Sequence, residues 1–296
     1  MSKKPLTRDE QFLAKAAGDD VPMPKPRTRA QEFLKRIVER LSGSVTEETL
    51  NNAIAPLKAS IAQLSRKTIQ FRHGKGTFTA TATGTNITWQ YGGQQVQGGS
   101  CTFDVKSDNG LICMDFDSIT SLSITSDTAL KVCLSDLGGK ITNVLGLYGC
   151  TNITGDLSDL GGKITNVLGL NDCINITGDL SDLGGKITNV LSLNSCTNIT
   201  GDLSDLGGKI TGTLNLYNCT NITGVYSGTK YPKTFAVSKT SITSADMDAN
   251  LINFAASGVK SGKFTATGMK RTAASDDAVA TLVTNGWTVS GLTKEG

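Results

Sequence analysis

Residues 134–156 read LSDLGGKITNVLGLYGCTNITGD, and the same block begins again at Leu157, Leu180 and Leu203, a constant 23-residue step. The second copy departs only at LNDCI, the third carries SLNSC, and the fourth drifts at TGTLNLYNC before leaving the pattern at Val225. A degenerate copy stands upstream, where Leu122 and Ile124 occupy the places of Leu145 and Leu147. A period of about 20–50 residues marks a stacked repeat, in which one turn of chain cannot bury its own apolar face and its neighbour covers it. The expected fold is therefore α/β, a solenoid with 23-residue rungs and a parallel sheet.

Inside one copy, Leu145, Leu147, Cys150 and Ile153 follow L-x-L-x-x-C-x-x-I, with Leu157 and Leu160 beyond. Residues 144–148 are expected as a short strand that turns Leu145 and Leu147 inward and Val144, Gly146 and Tyr148 outward. The Gly pairs at 138/139, 161/162, 184/185 and 207/208 mark corners on the return path, where positive φ is cheap only for glycine. The spacing, repeated four times in one phase, resembles the leucine-rich repeat with Cys at the position where that family has Asn or Cys.

Downstream, Phe235 with Val237, Phe264 with Ala266, and Trp287 with Val289 continue the strand pattern, the last pair one repeat period after the one before. Ser244 and Ser275, each followed by acidic residues, are expected to start helices that replace the return path, the second stopping at Asn285-Gly286. Leu282, Val283 and Trp287 would close the end of the stack, because a solenoid needs a terminal cap. Upstream, residues 68–110 alternate apolar and polar side chains with Gly punctuation, a small β module or cap. The stretch GTFTATATGTNITWQYG within it resembles the opening strands of immunoglobulin-like modules of surface and virion proteins, though it is too short for a whole sandwich.

The first quarter has a different composition. Residues 1–75 hold 15 Lys or Arg against eight Asp or Glu, a balance of +7, which leaves −4 for the remainder of a chain whose net charge is +3. Segments LTRDEQFLAKAAG and RTRAQEFLKRIVERL look like copies of one another around the spacer VPMPKP. Leu50, Ile54, Leu57, Ile61 and Leu64 are spaced 4, 3, 4, 3, a heptad seam interrupted by Pro56. Both a coiled-coil dimer or trimer and an amphipathic helix packed on a neighbour fit this seam. The organisation expected is a helical anchor with a Pro-rich linker over 1–44, a short coiled-coil-like helix over 45–67, the β module over 68–110, leucine-rich repeats over 111–242 and capping rungs over 243–296.

Chemistry is sparse. One His excludes His-pair metal sites, and 19% charged residues is too few for a disordered polyelectrolyte. Cys150, Cys173, Cys196 and Cys219 form a column, expected as buried thiols rather than disulfides or ligands. Asp136, Asp159, Asp182 and Asp205 form another, as do Asp156, Asp179 and Asp202, but LSDLGGK lacks the Gly-Gly-x-Gly-x-Asp rhythm of calcium-binding β-rolls, so no metal is expected. The GGKIT segments are not phosphate loops: Leu157 stands where the second copy would need glycine, and Ile164 follows Lys163. The Asn-Ile-Thr triplets at Asn86, Asn152, Asn175, Asn198 and Asn221 are read as a polar ladder. Phe12 and Phe33 fit helix faces better than stacking platforms, so nucleic acid is not an expected partner. No nucleophile with a matching base can be named, and neither an enzyme nor a cofactor is expected. The outward strand positions Val144, Gly146, Tyr148, Gly169, Asn171, Ser192, Asn194, Asn215 and Tyr217 remain as a binding face, with a solvated sheet that binds nothing as the alternative.

Two further resemblances bear on function. The tandem segments within residues 1–40 resemble the N-terminal ends of phage and prophage structural proteins, and SADMDANLINFAASGVKSGKFTATGMKRTAASDDAVATLVTNGWTVSG resembles the end of BspA-like leucine-rich adhesins and phage fibre or tail proteins. With the repeats, they cover the chain from about residue 111 onward and its first tenth. They imply a non-enzymatic virion protein (fibre, tail or capsid decoration) that contacts other virion proteins through residues 1–67 and a bacterial surface protein or glycan through the repeats. The alternative is a BspA-like bacterial surface adhesin. The start MSKKPLTRDEQ has no apolar core or cleavage site and no run of about 18 apolar residues follows, so synthesis in a host cytoplasm without a membrane span is expected.

Overall fold

The computed structural model describes residues 67–295 and, upstream, Ala55 alone. The seam residues Leu50, Ile54, Leu57, Ile61 and Leu64, together with Phe12 and Phe33, lie outside the described residues. What is described is mixed α/β, with parallel sheets and few helices.

Eight strands come first: β1 (Lys67–His73), β2 (Gly76–Thr85), β3 (Thr88–Tyr91), β4 (Gln94–Gln97), β5 (Ser100–Val105), β6 (Gly110–Phe116), β7 (Ser118–Ser123) and β8 (Leu130–Lys131). Five of them make an antiparallel sheet in the order β4-β3-β6-β1-β8, while β5, β2 and β7 start a second sheet. Strict alternation decides the packing: Ile69, Phe71 and His73 of β1 are buried, as are Phe78, Ala80 and Ala82 of β2. Phe71, Phe78 and Trp89 join the two layers, with ring centroids 5.7 to 6.2 Å apart. His73 is fully buried and its Nε2 lies 3.0 Å from each carboxylate oxygen of Asp127. Asp127 also accepts the backbone N–H groups of Ala129 and Leu130, so a single carboxylate ties β1 to the loop before β8.

The second sheet changes character at β7, which is antiparallel to β2 on one side and parallel to β9 (Val144–Gly146) on the other. Leu122 pairs with Leu145, and the ladder runs on through β11 (Val167–Gly169), β13 (Val190–Ser192) and β15 (Thr213–Asn215) as Leu145, Leu168, Leu191 and Leu214, one repeat period apart at each step. All five leucines are fully buried. Full burial of one such side chain is worth about 1.5–3 kcal/mol. These strands are shorter than the 144–148 expected from sequence, ending at Gly146 in the first copy. A turn follows at once, and Asp172, Ser195 and Asn218 adopt positive φ there, with Gly149 at the matching place. Leu147, Leu170, Leu193 and Leu216 stay buried after the strand ends, and their N–H groups still bond across the stack.

On the return path, β10 (Thr154–Asp156), β12 (Asn175–Asp179), β14 (Ile199–Asp202) and β16 (Asn221–Thr223) form a four-stranded parallel sheet. The helix α1 (Leu134–Leu137) follows β8, and 3-10 turns at Leu157–Leu160, Leu180–Leu183 and Leu203–Leu206 occupy the same place in later copies. Each 3-10 turn starts with a reciprocal cap. The Asp179 side chain accepts the Ser181 N–H at 3.0 Å, while Asp182 accepts the Asp179 N–H at 2.8 Å. The Gly pairs close these turns with φ between +53° and +63° at 161/162, 184/185 and 207/208. Gly138 departs from the expectation with φ −51°; it is required instead by close approach, since a Cβ there would meet the Asp159 carbonyl.

Beyond the repeats come β17 (Thr234–Ala236), α2 (Ser244–Ala256), β18 (Lys263–Arg271), α3 (Asp276–Thr284) and β19 (Thr288–Lys294). The cap of α2 is Thr243, whose hydroxyl accepts the Asp246 N–H, and not Ser244. Ser275 precedes α3 without capping it, because its hydroxyl donates to the buried Asp248 carboxylate at 2.5 Å. Phe264 pairs with Val289, so the alignment of Phe264 with Trp287 is out by two positions. Trp287 instead lies over Gly262, stands edge-on to Phe254 at 5.6 Å and donates its indole N–H to the Val259 carbonyl at 2.7 Å. Leu282 and Trp287 are buried at this end of the stack, whereas Val283 is 57% exposed and closes nothing.

A candidate binding face on the main sheet

The columns that recur once per repeat are bonded into the scaffold. The thiols of Cys173, Cys196 and Cys219 donate to the carbonyls of Leu147, Leu170 and Leu193 at 3.0–3.1 Å, and Cys150 reaches Ile124 at 3.5 Å. All seven cysteines are free. Burial pushes the pKa of Cys150 up to about 11 and those of Cys173 and Cys219 up to about 12, and it raises Cys196 further, so these thiols are protonated and unreactive at neutral pH. The sequon amides of Asn175, Asn198 and Asn221 donate from Nδ2 to the carbonyls of Thr151, Ile174 and Thr197 at 2.8–2.9 Å. Thr165, Thr188 and Thr211 do the same with their hydroxyls to Thr142, Thr165 and Thr188 at 2.9–3.0 Å.

The carboxylates are engaged too. Hydrogen bonds from the Ser158 hydroxyl and N–H, joined by Thr177, hold Asp156 below the usual carboxylate range; the Ser181 N–H and hydroxyl and the Thr200 hydroxyl do the same for Asp179. Among the described residues, no group of three or more His, Cys, Asp or Glu side chains is arranged to hold a metal ion.

The outward side of the main sheet is uneven. Gly146, Gly169 and Ser192 are buried, although they sit at alternate positions to the core leucines. The cause at Gly169 is Tyr148, whose ring lies so close that a Cβ there would come within 2.1–2.3 Å of its Cζ, hydroxyl and Cε1 atoms, and burial raises the phenol's pKa. Asn171, two positions beyond Gly169, keeps its side-chain oxygen buried without a hydrogen-bond partner. In this half of the face Tyr148 lies against both Gly146 and Gly169.

The other half is open. A shallow depression of about 330 Å³ is lined by Asn194, Thr213, Asn215, Tyr217, Thr234, Ala236, Lys263 and Thr265, contributed by consecutive strands and the turns after them. Tyr217 is 38% exposed, and Lys239 Nζ sits 5.1 Å from its ring centroid. The Asn215 side-chain oxygen accepts the Tyr217 N–H at 3.1 Å and fixes the turn that presents the ring. Of the nine face residues named from sequence, the depression brings together Asn194, Asn215 and Tyr217; Val144, Gly146, Tyr148, Gly169, Asn171 and Ser192 lie outside its lining. Sequence reasoning missed Thr213, Thr234, Ala236, Lys263, Thr265 and Lys239. The available signal was that Thr234 and Lys263 each precede a core Phe, as Val144 precedes Leu145.

No family model, curated protein or solved structure matches the chain. No described helix is long and apolar enough to cross a membrane.

Proposed function

We propose that this chain is a non-enzymatic structural protein of a bacteriophage virion, a fibre, tail or capsid-decorating protein. Residues 1–67 hold it to the particle, and a leucine-rich-repeat solenoid with 23-residue rungs is displayed for attachment to the host surface. The observation that carries this reading is the division of labour within the repeat. Cysteines, sequon amides and carboxylates are bonded internally, while the open half of the sheet presents Tyr217, two Asn and three Thr to solvent. The thiols and carboxylates of the repeat are bonded into the scaffold rather than presented on the open sheet, and an extended face built from successive turns is what repeat proteins use for binding. The phage-like N-terminal segments and the adhesin-like C-terminal stretch support display on a particle.

Immunogold labelling of purified particles with an antibody to residues 111–242 tests the reading. Label on the particles is expected; particles without label, with label on the envelope of uninfected cells, would replace it with the bacterial surface adhesin. Adsorption of particles carrying Tyr217→Ala is expected to fall, and unchanged adsorption would leave the sheet face merely solvated.

A further inference from the structure

Lys263 lies in the lining of the depression and Lys239 sits over the Tyr217 ring, and neither has an ion-pair partner among the described residues. None of the eight lining residues is acidic. By contrast, Lys270, Arg271 and Lys294, farther along the same end of the chain, are all paired with carboxylates. The depression therefore combines an exposed aromatic ring, uncharged amide and hydroxyl groups and an uncompensated positive charge. Its volume lies at the small end of the range for small-molecule sites, about 300–1,000 Å³.

Those three features fit one ligand chemistry. A pyranose has a C–H face that packs on an aromatic ring and an edge of hydroxyls that both accept and donate hydrogen bonds. Side-chain amides of Asn194 and Asn215 and hydroxyls of Thr213, Thr234 and Thr265 supply partners of both kinds. A neutral sugar would leave the lysines unanswered, whereas a carboxylate completes the charge balance through a charge-assisted hydrogen bond. A large apolar ligand would leave the amides unsatisfied.

We propose that the depression at Tyr217 binds a carboxylated sugar residue of a surface glycan. The sugar ring packs on the face of Tyr217 that Lys239 does not cover, its hydroxyls meet Asn194 and Asn215, and its carboxylate meets Lys263 in the lining. The proposal rests on the reading of this face as the attachment surface and names the class of sugar it takes.

The test uses the full chain in calorimetric titrations with three probes: a tetragalacturonate, the same oligosaccharide with its carboxyls reduced to alcohols, and a sialyl-lactose. At least one acid is expected to bind about tenfold or more tightly than the reduced sugar, the lower end for a single charge-assisted hydrogen bond. Lys263→Gln is expected to erase that preference, and Tyr217→Ala to weaken acid and reduced forms alike. Both positions are solvent-exposed, and circular dichroism of each variant checks that the fold is retained. Equal affinity for acid and reduced forms overturns the acidic-sugar proposal, as does a preference that survives Lys263→Gln or no binding of either acid at millimolar concentration. If the reduced form binds equally and Tyr217→Ala abolishes it, the attachment face stands and only the sugar class falls. Normal particle adsorption with Tyr217→Ala removes the face itself.

Discussion

Gly161 and Gly178 lie within one repeat length of each other, both with positive φ, yet alanine at the two sites should behave very differently. Gly161 has φ +59°, and the nearest atom to a built Cβ is a flexible Lys163 carbon 4.0 Å away. Alanine there bears only the left-handed backbone penalty, about 1–2 kcal/mol. Gly178 has φ +117°, a region reserved for glycine. Holding another residue there costs about 1–3 kcal/mol. Its Cβ would also lie 2.7 Å from the Leu157 backbone nitrogen and 2.9 Å from the Leu157 Cβ, atoms that begin the neighbouring 3-10 turn and cannot move without opening the stack. Overpacking of that kind adds about 1–3 kcal/mol. The sum for Gly178→Ala is roughly 2–6 kcal/mol, a large part of the stability of an ordinary domain. Urea unfolding followed by circular dichroism gives the comparison directly, with equal m-values required before the midpoints are converted to free energies. Gly178→Ala should be the more damaging by at least about 1 kcal/mol; equal losses, or a greater loss at Gly161, would refute the argument that close approach of adjacent copies sets the requirement.

Three further outcomes follow from the packing. In native protein at pH 8, a thiol reagent should label the half-buried Cys113 and Cys133 first and spare Cys101, Cys150, Cys173, Cys196 and Cys219 until denaturant is added; rapid native labelling of Cys196 would contradict its place in the core. Asp156, Asp179 and Asp248 are held below their unfolded value of about 3.9. For Asp248, burial pushes upward, but hydrogen bonds from Ser275 and Thr272 outweigh it. Their contribution is complete above that value and is lost as pH falls through the lower folded values, so stability should drop below about pH 4, and Asp179→Asn should flatten the drop when unfolding is measured across pH 2–6. Trp287→Ala removes a buried side chain at the end of the stack and should cost about 3–5 kcal/mol, with hydrogen exchange accelerating first in α3 and β19; uniform acceleration throughout would show that Trp287 is not a local cap.

Much of the scaffold was legible because the repeat is nearly exact. Leu145, Leu168, Leu191 and Leu214 share one phase in sequence and one register in the sheet, and the Gly pairs fall at turns that demand positive φ at both positions in three of their four occurrences. Legibility failed where spacing changed. Phe235 follows its sheet partner Leu214 by less than one repeat period, whereas Phe264 follows Phe235, and Val289 follows Phe264, by more than one. A fixed 23-residue ruler therefore set Trp287 in the strand's place. Thr234 and Lys263, which complete the depression, stand directly before Phe235 and Phe264 and lie outside the exact copies from which the binding face was read. Contacts across long separations left no periodic trace at all: nothing in the sequence joined His73 to Asp127. Burial of Gly169 was equally hidden, since it depends on where the Tyr148 ring falls rather than on the alternation of the strand.

The side-chain ladders have a direction. The thiols of Cys150, Cys173, Cys196 and Cys219, the amides of Asn175, Asn198 and Asn221, and the hydroxyls of Thr165, Thr188 and Thr211 all donate to carbonyls earlier in the chain. Acceptors in these ladders belong to the preceding turn, so a newly made turn meets its partners already in place, and the chain leaving a ribosome can add turns as a ratchet does, each secured by the one before. Truncation is correspondingly asymmetric for these side chains. Cutting after Asp202 takes donors away and leaves their carbonyl acceptors for water to solvate, while removing the turns before Leu157 takes the Leu147 carbonyl from Cys173 and leaves its thiol only the longer contact to the Asn171 carbonyl at 3.9 Å.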